Sequence, residues 1–156
     1  MTKLTLAGVL VAAVIGGGTA SADLTKNVIS AFKGELIISK GDLPEGKNDK
    51  DTIQKIKAER LKELTGEAHE DVVSWHFHYT AFLNKTGASQ LTLEFYNPDK
   101  KFVADNRLDG VDPKSSVLTG DISISEDEGL AKGKMYTLKL VSGKDTVVAS
   151  TTLMMK

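Results

Sequence analysis

One stretch of twelve residues constrains the fold of this chain more than any other. In the segment VVSWHFHYTAFL, residues 72–83, apolar residues alternate with mostly polar ones. Successive side chains of a β-strand point to opposite faces, so one set of alternate residues lies on a single face. That set consists of Val73, Trp75, Phe77, Tyr79, Ala81 and Leu83. The segment therefore predicts a strand that covers a core with its apolar face and carries His76 and His78 on the other.

Six further segments have the composition of strands, rich in β-branched and apolar residues between turns. They are residues 29–39, with Gly34 as a bulge or bend, and residues 91–95, 102–104, 117–124, 135–141 and 146–153. The segment DNRLDGVDPKSS, residues 105–116, is predicted to be a long loop because turn-forming residues dominate it. Seven short strands with turns between them predict a β-sandwich.

Between the first two strands the period of the apolar residues changes to that of a helix. Residues 49–64 place four apolar residues on one side of a helical wheel, with Lys and Glu around the rest. These four are Ile53, Ile56, Leu61 and Leu64. Asp49 or Asp51 is expected to cap the first turn, Asp51 and Lys55 to pair at i and i+4, and Gly66 to end the helix.

The segment Leu130 to Tyr136 contains the motif Leu-x-x-Gly-x-x-Tyr, followed by two alternating apolar residues. This motif resembles the sixth strand of fibronectin type III and related immunoglobulin-like domains. The resemblance implies that Tyr136 forms a corner, its hydroxyl bonding to the backbone just upstream. It also implies that Gly133 turns the chain and that Leu130 fills the bottom of the core.

The expected fold is thus a mainly β, seven-stranded immunoglobulin-like antiparallel sandwich. One amphipathic helix, at about residues 49–64, is inserted after the first strand. The family has a short turn at that point, so the helix is a departure from it.

The first 22 residues have the organisation of a secretory signal peptide. Lys3 precedes a stretch without charge, residues 4–15, and Ala20-Ser21-Ala22 supplies the small residues that a signal peptidase reads. The apolar run is shorter than the roughly 20 residues that span a bilayer. We expect residues 1–22 to be removed and residues 23–156 to form a single domain. The predicted location is secreted or periplasmic, in the style of a bacterial protein, and not integral in the membrane after cleavage.

The composition bears on two questions: whether disulfides stabilise the fold, and whether the chain could bind nucleic acid. The chain has no cysteine, so no disulfide stabilises it and no thiol serves as nucleophile. The net charge is −1, and no basic stripe of the kind that nucleic acid requires is visible in the sequence.

A near match to a phosphate-binding loop occurs at residues 41–47, where Gly41, Gly46 and Lys47 have the spacing of that motif. The position that needs a magnesium-binding hydroxyl holds Asn48, and nearby acidic residues would repel phosphate. We interpret the match as an ordinary strand-to-helix loop and expect no nucleotide.

His76 and His78 form the main candidate site, because period two places both imidazoles on one face. Such a pair can chelate copper, zinc or nickel, with His69 or Glu70 completing the coordination. No cysteine is present to close a tight site, so any metal held there is expected to be bound weakly. The alternative is that these histidines are ordinary surface residues.

The leading functional hypothesis is a non-catalytic binding or structural module of the cell envelope. Its partner would be another envelope or extracellular protein, bound through surface loops or an open sheet edge. The rival hypothesis is a periplasmic metal-binding protein that uses the His76/His78 pair. A small hydrolase is the third.

Overall fold

The structure is a computed structural model that describes residues 24–84, 89–143 and 146–156. The predicted signal peptide, residues 1–22, lies outside the described residues. The described chain is mainly β, and its strands form two sheets. Among the helices of this described part, none combines the length and the apolar character needed to cross a membrane.

Two α-helices and nine strands make up the described chain. The helices are α1 (Lys26–Ala31) and α2 (Asp49–Glu59), and Glu126–Glu128 forms a 3₁₀-helix. The strands are β1 (Leu36–Ser39), β2 (Glu63–Leu64), β3 (Glu67–His69), β4 (Val72–Phe82), β5 (Gln90–Tyr96), β6 (Phe102–Asp109), β7 (Val117–Ser125), β8 (Lys134–Ser142) and β9 (Thr146–Met155).

The two sheets have different arrangements. In the first sheet, β4 is the central strand. One of its edges pairs with β7, and separate segments of its other edge pair with β1 and with β3. The second sheet has the order β2-β9-β8-β5-β6. The pairs between these strands are antiparallel except that of β2 with β9, which is parallel.

The main core lies between the two sheets. The predicted apolar face of β4 is confirmed: Trp75, Phe77 and Tyr79 are buried in one cluster with residues of β5 and β8. Leu93 and Leu138 are among the partners from the second sheet. The strand therefore lies where its period-two pattern predicts.

A second, smaller core lies on the outer face of the first sheet. The helices contribute Val28 and Ile56 to this cluster, and the sheet contributes Ile37, Phe82 and Val117. The sheet is consequently packed on both faces at this end. Neither helix supplies a buried residue to the main core.

The prediction of a strand over residues 29–39 is wrong in its first half, where the chain forms α1. The Thr25 side chain caps this helix by accepting a hydrogen bond from the Val28 amide at 3.3 Å. Val28 and Phe32, four residues apart, are both buried on one face. Gly34, with a φ of 86°, then turns the chain before β1.

The predicted helix over residues 49–64 exists but is shorter. Asn48, not Asp49 or Asp51, caps it by accepting a hydrogen bond from the Asp51 amide at 2.9 Å. The helix ends at Glu59 because Leu61 then pairs with β1, donating to the Ile38 carbonyl at 2.7 Å. Leu64 packs in the main core from β2, and Gly66 does not end the helix. The pairing of Asp51 with Lys55 is confirmed at 3.7 Å.

The long loop predicted over residues 105–116 is also partly wrong, because β6 extends to Asp109. Within β6, Ala104 is buried and Leu108 is half-buried, while Asp105 and Arg107 are exposed. β6 is the last strand of its sheet, where charged residues protect the open edge. A charged edge strand resembles a loop in composition, which explains the error.

The corner expected at Tyr136 is present as a contact. The Ala131 amide donates a hydrogen bond to the Tyr136 hydroxyl at 2.8 Å, and the tyrosine is 1% exposed. Gly133 has a φ of 82° in the turn between them, and Leu130 is buried in the main core. The predicted hydroxyl-to-backbone bond is therefore confirmed.

Candidate functional site

His76 and His78 lie on the outer face of β4, opposite the buried aromatic residues, as predicted. His76 is exposed, whereas His78 is half-buried, with 12% of its side chain accessible. The difference arises because His78 is closer to the end of the sheet that the second core covers.

Both imidazoles make a hydrogen bond to the neighbouring strand β7. His76 is opposite Ser123 in the register, and its Nδ1 lies 2.7 Å from the serine Oγ. His78 is opposite Asp121, and its Nδ1 lies 3.0 Å from the aspartate Oδ1. The pairing of the strands thus determines which ring nitrogen of each histidine is engaged.

The other nitrogen of His78 has an unusual environment. Its Nε2 is buried and has no hydrogen-bond partner. Asp42, in the loop after β1, places its Oδ1 3.9 Å from this nitrogen. Sequence reasoning missed Asp42 as a neighbour of His78, because only the pairing of β1 with β4 shows that this loop passes beside the histidine.

His69 does not join the other two histidines. It lies on β3, exposed, and is paired with Val72 at the start of β4. That register places it four residues from His76 along the strand, or about 13 Å at the usual rise of a strand. Glu70, the alternative to His69, lies in the turn that follows. Within the described ranges, no three His, Asp or Glu side chains are grouped to hold a metal ion.

In the loop that resembles a phosphate-binding motif, two backbone amides donate hydrogen bonds to side chains of α2. The Gly46 amide donates to Thr52 Oγ1 and the Lys47 amide to Asp51 Oδ2, each at 2.9 Å. The loop borders a cavity of about 210 Å³ between the first turns of α1 and α2. A phosphate there would have to displace these internal acceptors. The geometry therefore supports the interpretation of an ordinary strand-to-helix loop.

A carboxylate lines the same cavity. The two oxygens of Asp49 each accept a hydrogen bond at 2.8 Å, one from the Thr25 hydroxyl and one from the side-chain Nδ2 of Asn27. Both oxygens are thus engaged in joining the start of α1 to the start of α2.

The outer face of the second sheet carries a group of apolar side chains, which we call the aromatic patch: Tyr96, Phe102, Met135 and Met154. The register places Phe102 opposite Tyr96 and Met154 opposite Met135, at the same end of the sheet. The rings of Tyr96 and Phe102 meet edge to face, with their centres 6.1 Å apart. Phe102 is 54% exposed and Met135 43%.

Sequence reasoning did not identify this patch, although a signal was present. Met135 directly precedes the buried Tyr136, so the alternation in β8 places Met135 on the outside. Phe102 is two residues from the buried Ala104, so alternation alone would place it inside. The register shift between Phe95 and Tyr96 pairs it with Tyr96 instead, and the two rings meet on the outer face.

Lysines lie at the same end of the sheet as the aromatic patch. Lys139 Nζ is 4.6 Å from the centre of the Tyr96 ring, within the range of a cation–π interaction. Lys100 and Lys101 directly precede Phe102, Lys134 directly precedes Met135, and all three are exposed. The Tyr96 hydroxyl donates to Glu94 at 2.7 Å.

No protein-family model matches this chain, and no curated protein matches it in sequence. A solved structure of a β-glucosidase from Kluyveromyces marxianus in complex with glucose is similar over 60% of the chain. The identity is 11% and the TM-score 0.33, and the match spans 14% of the length of that enzyme. A similarity of this size carries no argument about fold or activity.

Proposed function

We propose that this protein is a non-catalytic binding module of the cell envelope, secreted or periplasmic, built on an immunoglobulin-like sandwich. It binds an acidic surface of a partner protein through the aromatic patch. The observation that carries the proposal is the exposure of Phe102 and Met135 on the outer face of the second sheet.

The strand arrangement supports the immunoglobulin-like part of the proposal. Leaving out the short β2 and β3, seven strands remain. The first, second and fifth of these (β1, β4 and β7) share one sheet, and the third, fourth, sixth and seventh (β5, β6, β8 and β9) share the other. The constant-type immunoglobulin fold differs only in having its fourth strand in the first sheet. Tyr136 lies near the start of the sixth long strand, where the corner tyrosine of this architecture is found.

The composition of the aromatic patch supports protein binding. Aromatic residues and methionine are enriched in protein interfaces, and a few such residues usually carry most of the binding energy. The outer face of the first sheet has its large apolar residues covered by the helices, whereas Phe102 and Met135 remain exposed. Apolar side chains grouped on a bare face are typical of an interaction site.

The lysines around the patch are the support for an acidic partner in this proposal. The whole chain carries a net charge of −1, yet at the patch end of the second sheet Lys100, Lys101, Lys134 and Lys139 outnumber the neighbouring Glu94, Asp99 and Asp105. Opposite charges around an apolar centre raise the rate of association and fix the orientation of the partner.

Site-specific photo-crosslinking tests the proposal. A benzophenone amino acid is placed at position 102 or 135 in cells that export the protein. The matched control is position 147, because Val147 is a similarly exposed apolar residue, 42% accessible, outside the patch. We expect one discrete protein adduct from positions 102 and 135 and none from position 147.

The affinity of that partner then gives a quantitative test. Phe102→Ala and Met135→Ala should each weaken binding by at least about tenfold, and Val147→Ala by less than about twofold. Added salt should weaken binding by the native protein. If crosslinking shows no preference for the patch, or if all three variants bind equally, the proposed surface is incorrect.

A further inference from the structure

We propose that His78 and Asp42 hold a divalent transition-metal ion between the histidine Nε2 and the aspartate carboxylate, and that Asp121 orients the imidazole. This site differs from the expected chelate of His76 with His78. It is also separate from the aromatic patch, which lies on the other sheet.

The state of the His78 ring follows from its hydrogen bond. A carboxylate only accepts hydrogen bonds, so Asp121 requires a proton on the Nδ1 of His78. In the neutral ring, Nε2 then carries the lone pair. This nitrogen is buried without a donor, and the Asp42 carboxylate is 3.9 Å away. A cation between a lone pair and a carboxylate at this separation would be attracted to both.

The separation suits a bridging metal. Zinc lies 2.0–2.1 Å from imidazole nitrogen and 2.0–2.2 Å from carboxylate oxygen, so tetrahedral coordination places the two ligand atoms about 3.4 Å apart. The atoms of His78 and Asp42 are 3.9 Å apart. A movement of about 0.5 Å by the exposed aspartate side chain brings them to the separation that zinc requires.

The loop that carries Asp42 is fixed on both sides of this residue. Before it, the Ser39 hydroxyl donates to the Gly41 carbonyl at 2.6 Å. After it, Leu43 is buried in the second core. His78 is held by the central strand, between Ser39 on β1 and Asp121 on β7. The ligands therefore come from backbone that is already positioned.

Asp121 has the role that outer carboxylates play in metal sites. A metal-bound histidine usually donates its other N–H to a carboxylate, which fixes the tautomer and raises the basicity of the ligand nitrogen. His76 bonds instead to the Ser123 hydroxyl, which can donate or accept and so does not select a tautomer. The two histidines thus differ, and among the described residues only the free nitrogen of His78 lies within 4.0 Å of a carboxylate oxygen.

The donor atoms determine the class of ion. One imidazole nitrogen and one carboxylate oxygen suit zinc, copper or nickel, while calcium and magnesium take oxygen ligands. Two protein ligands leave at least two tetrahedral positions to water, in agreement with the lack of a three-residue cluster in the described part of the chain.

Calorimetric titration of the mature protein with Zn²⁺ and with Cu²⁺ at neutral pH tests the site. We expect one ion per chain. Asp42→Asn and His78→Gln should lower the affinity by at least about tenfold, and Asp121→Asn by about 10–100-fold. The matched control, His76→Ala, should change it by less than about twofold. Ca²⁺ should give no binding heat.

Asp42→Asn is the decisive variant, because its side chain is 86% exposed and its replacement leaves the core intact. Retained affinity in Asp42→Asn, or an equal loss in His76→Ala, would overturn the proposal, as would no heat with either ion. Imidazole ¹⁵N spectra of the metal-free protein add an independent test. We expect the neutral ring to carry its proton on Nδ1, and a neutral ring that carries it on Nε2 would contradict the proposed role of Asp121.

Discussion

Replacing Tyr136 with phenylalanine removes one hydroxyl and leaves the ring in place. In the folded protein, this hydroxyl accepts a hydrogen bond from the Ala131 amide at 2.8 Å. The side chain is 1% exposed, so water cannot take the place of the hydroxyl from the side of the ring. A buried donor left without a partner costs about 1–3 kcal/mol, and the half-buried position of Ala131 favours the lower part of that range, about 1–2 kcal/mol.

Urea denaturation, followed by the fluorescence of Trp75 and by circular dichroism, measures this loss. Trp75 is the single tryptophan and is fully buried in the main core, so its emission reports the loss of the sandwich. With a slope of about 2 kcal/mol per molar urea, we expect the midpoint to fall by about 0.5–1 M.

Tyr96→Phe is the matched control, because its hydroxyl donates to Glu94 on the outer face of the second sheet. A change there should alter the free energy of unfolding by less than about 0.5 kcal/mol. An unchanged midpoint for Tyr136→Phe, or equal shifts for the two variants, would show that the corner bond does not stabilise the fold.

Four further outcomes are expected. Gly66→Ala should lower the free energy of unfolding by about 1–3 kcal/mol and shift Trp75 emission in urea and fluorescence experiments, because a Cβ at position 66 would lie 2.9 Å from the Trp75 indole nitrogen. Burial and the charge of Asp121 raise the pKa of Tyr79 in the folded protein above its value in the unfolded chain. The free energy of unfolding should therefore fall as pH rises above about 10, where the unfolded chain begins to lose this proton. Thermal melts should show this fall, and it should be less steep in Tyr79→Phe. Calorimetry with ATP should show no saturable binding for the native protein or for Lys47→Ala, because the loop amides already have acceptors. Intact-mass measurement of exported protein should match residues 23–156, and retention of the first 22 residues would contradict the predicted location.

The sequence was most informative where one face of a strand is fully buried. In β4 the alternation is strict from Trp75 to Tyr79, because each inward residue meets the opposite sheet and each outward one does not. The bond made by Tyr136 was also predictable, because a motif of seven residues contains the turn, the acceptor hydroxyl and the donor amide. In both cases the determining interactions are encoded within one segment.

The errors occur where the conformation depends on distant parts of the chain. Residues 26–31 have β-branched members that suit a strand, but burial of Val28 and Phe32 against Phe82 favours a helix. The helix over residues 49–59 ends where the next segment pairs with β1, not at a breaker residue.

The candidate site was predicted in part. The common face of His76 and His78 follows from period two alone. The neighbours of His78 do not, since Asp121 and Asp42 reach it only through the register of β7 and the course of the loop after β1. His69, which directly precedes the turn that leads into β4, is near the other histidines in sequence but not along the paired strands.

The pairing at the edge of the second sheet has a consequence for when this chain can fold. Glu35 bridges Ser150, β2 pairs with the end of β9, and the Trp75 indole donates to the carbonyl of Lys156, which is 81 residues away. Native contacts of such high sequence separation make folding slow, because a large loop must close before they form. A chain emerging from the ribosome cannot bury Trp75 fully until its last strand has been synthesised. The main core therefore closes only after residues 146–156 have been synthesised, because Val148, Leu153 and Met155 are part of it.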